Sequence, residues 1–151
     1  MSQLDDTIRQ QLAVAQKIVI VGHIRPDGDA VGSMLGLTHS LRANGKTVIP
    51  VLQDGMPEKY AFLPGAADVR TSVPADYDYL IVVDSSDMPR IGKVLEGLPS
   101  PDLVIDHHKS AMLDLEGHPN AIFDMNKSGA GLAWDHFHPN TPRPDYINYI
   151  E

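Results

Sequence analysis

His23, Asp27 and Asp29 stand within seven residues in Gly22-His23-Ile24-Arg25-Pro26-Asp27-Gly28-Asp29. Imidazole and carboxylate both bind divalent metals. A mixed Asp/His set suits Mn, Zn or Fe better than Mg or Ca, which favour oxygen alone. Two further clusters have the same character, Asp84-Ser85-Ser86-Asp87 and Asp106-His107-His108. Carboxylates gathered at one locus would repel each other and raise their pKa values. Bound cations remove that penalty. Two metals about 3.5–4 Å apart, bridged by one carboxylate, form an arrangement that hydrolyses phosphate esters. Asp84, at the end of the most apolar run, is the expected bridge.

The elements that would bring these groups together are legible as well. Ile18 to Val21 is a short apolar run that reads as a buried strand. Thr47–Leu52, Asp78–Val83, Leu103–Ile105 and Ala121–Phe123 are further strand candidates. Between them, residues 3–16 and 30–43 show apolar side chains at helical spacing, and Asn44-Gly45 supplies a helix stop. Pro89 stands where a helix would start, with Ile91–Leu98 continuing it, and Ser128–Phe137 reads as another. Strands alternating with helices predict an α/β fold: a doubly wound, mostly parallel sheet with helices on both faces. In a parallel sheet the carboxyl ends of all strands lie on one edge. Each of the three Asp/His clusters follows such an end, so the pattern predicts that they converge in space.

Each residue taken alone has a plainer reading. An Asp before a helix, as at Asp29, commonly caps it, and Asp84 or Asp87 could cap the helix at Pro89. A single histidine is usually a hydrogen-bonded or surface residue, and His39, His118, His136 and His138 are read that way. The joint occurrence at three strand ends is what capping does not explain. Arg25, inside the first turn, is a candidate for a substrate phosphate, with a solvated loop cation as the alternative.

Composition narrows the function. The chain has 151 residues, 42% of them hydrophobic, which suits one domain with a core. Its net charge of −8 opposes binding of duplex DNA. Two divalent cations would cancel half of that charge and make the site attractive to small anions. No apolar run is long enough to span a membrane. The polar, acidic start Met1-Ser2-Gln3-Leu4-Asp5-Asp6 is unlike a secretory signal, and cysteine is absent. A cytoplasmic location is the expectation.

The motifs resemble a known family. Residues 22–33 look like the first motif of the DHH phosphoesterases, Asp84-Ser85-Ser86-Asp87 like the second, and Asp106-His107-His108 is the family's name-giving triplet. Ser128-Gly129-Ala130 sits where a Ser/Thr-rich motif is expected. The resemblance is nearest the RecJ-like and nanoRNase (oligoribonuclease) branch. It implies a Mn-dependent phosphoesterase acting on short oligonucleotides or small phosphorylated nucleotides through two-metal activation of water. It implies His23, Asp27 and Asp84 around one metal and Asp29, Asp84 and His107 around the other. His108 would face the substrate phosphate, and Asp106 would orient a ligand.

Family members usually carry one more ligating Asp, and a second domain that grips the substrate, beyond the point where this chain ends. The expectation is therefore a single catalytic domain over residues 1–151 without the substrate-binding domain, with a homodimer as its candidate assembly. Two rival readings stay open. One is pyrophosphate or polyphosphate hydrolysis. The other is a metal- or nucleotide-binding module without turnover.

Overall fold

The structure is a computed structural model and describes residues 10–83, 93–99, 101–106 and 121–123. Five parallel strands form one sheet: β1 Lys17–Val21, β2 Thr47–Val51, β3 Tyr79–Val83, β4 Leu103–Asp106 and β5 Ala121–Phe123. Their spatial order is β2-β1-β3-β4-β5. Helix α1, Gly28–Ala43, crosses from β1 to β2. The apolar runs are uninterrupted because both faces of the sheet are covered.

Alternate residues sort onto the two faces. Ile18 and Ile20 join Val31, Met34, Leu35 and Leu41 of α1, together with Ile81 and Leu103, in one core layer. Val19 and Val21 join Leu80, Val82 and Val104 in the other, covered by Val94 and Leu95. The connection after β1 therefore lies on one face and the connection after β3 on the opposite one. This is the doubly wound architecture expected from the sequence.

The edge strand β2 is blunted. Thr47 and Val51 bond toward β1, which turns the backbone of Val48 and Pro50 outward. Pro50, lacking an N–H, costs no ladder bond at such a position. Its carbonyl accepts from the Arg70 N–H at 2.9 Å. The Val48 carbonyl accepts from the Arg42 guanidinium at 2.8 Å, and that guanidinium also pairs with Asp68 at 2.7 Å. Exposed strand edges invite mispairing, and these contacts occupy this one.

The amino edge is pinned by one carboxylate. Asp78 accepts the backbone N–H groups of Gln16 and Lys17, each at 3.0 Å. The bond from the Lys17 amide does most to hold its carboxyl below the usual range. Nearby, burial pushes the Tyr79 phenol above its ordinary range, and its hydroxyl donates to Gln11 at 2.9 Å.

Several boundaries differ from expectation. The helix after β1 starts at Gly28 rather than residue 30. Residues 93–98 do not continue an α-helix. Lys93–Leu95 is a 3₁₀ turn with i→i+3 bonds, closed by Gly97 at φ +78°. Of the expected helix over 3–16, residues 10–14 are described and helical. The helix expected at 128–137 lies outside the described residues.

Candidate functional site

The order β2-β1-β3 makes β1 the point where the chain's direction of winding reverses. Open α/β sheets place their ligands in the crevice outside the strand ends at such a switch point. His23 to Asp29 occupies that position at the end of β1.

The local sequence explains the turn. At Gly22 a Cβ would stand 2.7 Å from Leu52 Cδ2, so glycine lets the chain leave the sheet this close to the end of β2 without displacing the Leu52 side chain. The Gly22 amide donates to the Val51 carbonyl at 3.2 Å, extending the pairing by one residue. His23 then turns inward and is 3% exposed. Its Nδ1 lies 2.6 Å from the Ile24 carbonyl oxygen. A carbonyl only accepts, so Nδ1 carries the proton and the ring lone pair resides on the buried Nε2. Metal-binding histidines characteristically donate their second nitrogen to a carbonyl or carboxylate in this way.

Arg25 adopts φ +50°, the left-handed region that a non-glycine residue enters at a cost. Its amide donates to Asp54 Oδ2 at 3.3 Å. Asp54 follows β2, so a carboxylate from a further strand end braces the turn. Sequence reasoning missed it, although the signal was the one used elsewhere, an acid just past an apolar strand.

Asp27 is the N-cap of α1. Its Oδ1 accepts the Ala30 N–H at 2.9 Å, and its carbonyl accepts the first helical bond from Val31 at 3.1 Å. The cap is thus Asp27, not Asp29, which falls within the first turn of the helix. A carboxylate has a second oxygen, so capping and metal binding are compatible roles for Asp27. Tyr60, from the connection between β2 and β3, lies over the same turn. Its hydroxyl is 3.3 Å from where a Cβ on Gly28 would stand. Nothing in the sequence pattern signalled this contact.

His23, Arg25, Asp27 and Asp29 are therefore gathered at one end of the sheet. Asp106 ends β4 on the same edge, with Val83 of β3 opposite Ile105 in register. Asp84, the residue after β3, lies outside the described residues, as do Asp87, His107 and His108. Among the described residues, no group of three or more His, Cys, Asp or Glu side chains forms a metal cluster. His23 fits a divalent ion through its tautomer and burial, and Asp27 through its donor chemistry. No helix among the described residues is long and apolar enough to cross a membrane.

Residues 17–149 match the model of the DHH family, N-terminal domain. The chain is 37% identical over 100 residues to the bifunctional oligoribonuclease and PAP phosphatase NrnA of Thermus thermophilus, covering 64% of this chain and 29% of that protein. It is 41% identical over 51 residues to an uncharacterized protein of Acanthamoeba polyphaga mimivirus, covering 32% of this chain and 12% of that one. An exopolyphosphatase-related protein from Bacteroides fragilis superposes with a TM-score of 0.76 at 24% identity, over all of this chain and 48% of that one. The last likeness is one of fold. The chain thus spans less than a third of the two curated relatives.

Proposed function

We propose a function for a chain that belongs to the DHH family, whose N-terminal domain model spans residues 17–149: it is a divalent-metal-dependent phosphoesterase. Its substrates are short oligonucleotides or small phosphorylated nucleotides. The observation that carries the reading is His23, buried at the sheet's switch point with Nδ1 donating to the Ile24 carbonyl at 2.6 Å. That bond fixes the tautomer and leaves the ring lone pair on Nε2, which is the tautomer a ligand histidine requires. The kinship with an oligoribonuclease and PAP phosphatase supports the substrate class.

In this reading His23, Asp27, Asp29, Asp84 and His107 would hold two ions, with Mn, which the resemblance implies, among the metals that suit a mixed Asp/His set. Such a pair supplies an activated water and neutralises charge on phosphate oxygens. The chain's own groups do the rest. Asp27 keeps the first turn of α1 in place while presenting its carboxylate. Arg25, held in a left-handed conformation beside Asp54, binds a non-reacting phosphate oxygen. By the resemblance, His108 would face the substrate phosphate and Asp106 would orient a neighbouring imidazole.

The test is hydrolysis of a diribonucleotide by EDTA-stripped protein with Mn added back. Activity that returns with Mn and is abolished in Asp84→Ala supports the reading. An unchanged rate in Asp84→Ala overturns it. Faster phosphate release from pyrophosphate would favour the polyphosphate alternative, and nucleotide binding without product would favour a non-catalytic module.

A further inference from the structure

Phe62 is 79% exposed, yet it sits in one of the most firmly tied stretches of the connection between β2 and β3. The Tyr60, Ala61, Leu63 and Ala66 amides donate i→i+3 bonds of 3.0–3.1 Å to Pro57, Glu58, Tyr60 and Leu63. On one side Tyr60 packs against the core, with its hydroxyl over the first turn of α1. On the other side Leu63 is buried, and the Pro64 carbonyl accepts from His39 Nε2 at 2.8 Å. The backbone that carries Phe62 is therefore anchored on both sides, and its ring projects from a tied stretch rather than from a slack loop. A ring on an anchored backbone leaves only its own side-chain torsions to be ordered when something binds to it.

A cation stands over the neighbouring ring of Tyr60. The Lys59 ammonium lies 5.1 Å from the Tyr60 ring centroid, and Lys59 itself is exposed. Phe62 is two residues from Tyr60, so their Cα atoms are at most about 7 Å apart. That is about the span of one nucleotide, and the Tyr60 hydroxyl lies over Gly28, the residue after Asp27. Alternating aromatic rings and cations are how proteins hold single-stranded nucleic acid without duplex contacts.

We propose that Phe62 is a stacking surface for a nucleobase of the substrate, and that Lys59 pairs with the adjoining phosphate. This inference rests on the phosphoesterase reading above, and it places part of substrate recognition on an element that carries none of the Asp/His clusters.

The experiment compares a diribonucleotide with its abasic counterpart on the same backbone, under Mn activation. Phe62→Ala is expected to raise KM for the diribonucleotide about 10-fold. It should leave kcat, the KM for the abasic substrate and the thermal midpoint unchanged. Phe62→Trp should restore the wild-type KM, and Lys59→Ala should raise KM for both substrates. An unchanged KM in Phe62→Ala, or equal losses on both substrates, overturns the proposal.

A wild-type protein that hydrolyses neither substrate defeats the phosphoesterase reading instead. The stacking surface is then read directly, by titrating the diribonucleotide against Phe62→Trp made in a Trp134→Phe background, which removes the chain's other tryptophan. Quenching of the new fluorophore supports the stacking surface, and its absence overturns it.

Discussion

The Asp27 carboxylate accepts the Ala30 amide at 2.9 Å, so a residue proposed as a metal ligand is also the N-cap of α1. The two roles draw on the same side chain for different reasons. Capping satisfies a helix amide that has no partner within the helix. Ligation needs the negative charge. Substitution can separate them. Asp27→Ser keeps a capping oxygen and should hold stability within about 0.5 kcal/mol, while Asp27→Ala should lose about 1 kcal/mol. Both should lose Mn affinity. Urea unfolding beside Mn titration checks this.

A second expectation concerns the exit from β1. Gly22→Ala would drive a Cβ to 2.7 Å from Leu52 Cδ2. Overpacking of this kind costs about 1–3 kcal/mol. Because the clash is with the end of one side chain, Leu52→Ala in the same chain should make the Gly22→Ala change nearly neutral relative to Leu52→Ala alone. A double-mutant cycle by chemical denaturation measures that coupling.

The left-handed backbone at Arg25 yields a third. Glycine enters that region freely, so Arg25→Gly should raise stability by up to about 1 kcal/mol. The guanidinium is lost at the same time, and kcat/KM on a diribonucleotide should fall about 10-fold or more. Arg25→Lys should keep the strain and recover only part of the activity. A variant that is both more stable and fully active would show that Arg25 has no part in binding the phosphate.

At the opposite edge of the sheet, Asp78 gives a pH signature. Its carboxyl is held below its ordinary value chiefly by the Lys17 amide, and further by that of Gln16. A group whose folded-state pKa is depressed stabilises the protein above its unfolded-state pKa, about 3.9. That contribution is lost as pH falls through the folded-state value. Asp78→Asn should therefore lower the thermal midpoint at pH 7, and the gap from wild type should close as pH drops below about 4. A gap independent of pH would mean that the charge has no role there.

Much of this molecule can be read before it is folded, and the reasons are physical. Tyr79–Val83 is legible because a strand buried on both faces must be apolar at every position. The placement of His23 at a strand end follows from the same rule. The start of α1 was harder. Gly28 is a poor helix residue by propensity, and its suitability depends on Tyr60 lying over it from 32 residues away in the chain. Asp54 was overlooked because it stands alone, three residues past β2, with no second acid or histidine in its turn. Residues 93–98 have helical spacing, but Gly97 in a positive-φ conformation closes the stretch after a single turn. Local pattern identifies which groups could meet, and long-range packing decides how the turn between them is braced.

Two-metal hydrolysis by this chain requires His23 and Asp84 to meet at one pair of ions. An anomalous-difference map of a Mn-soaked crystal tests this directly. It should show two peaks about 3.5–4 Å apart, one within about 2.2 Å of His23 Nε2 and both in contact with the Asp84 carboxylate. A saturated soak with no peak beside His23, or with Asp84 removed from every peak, would contradict it.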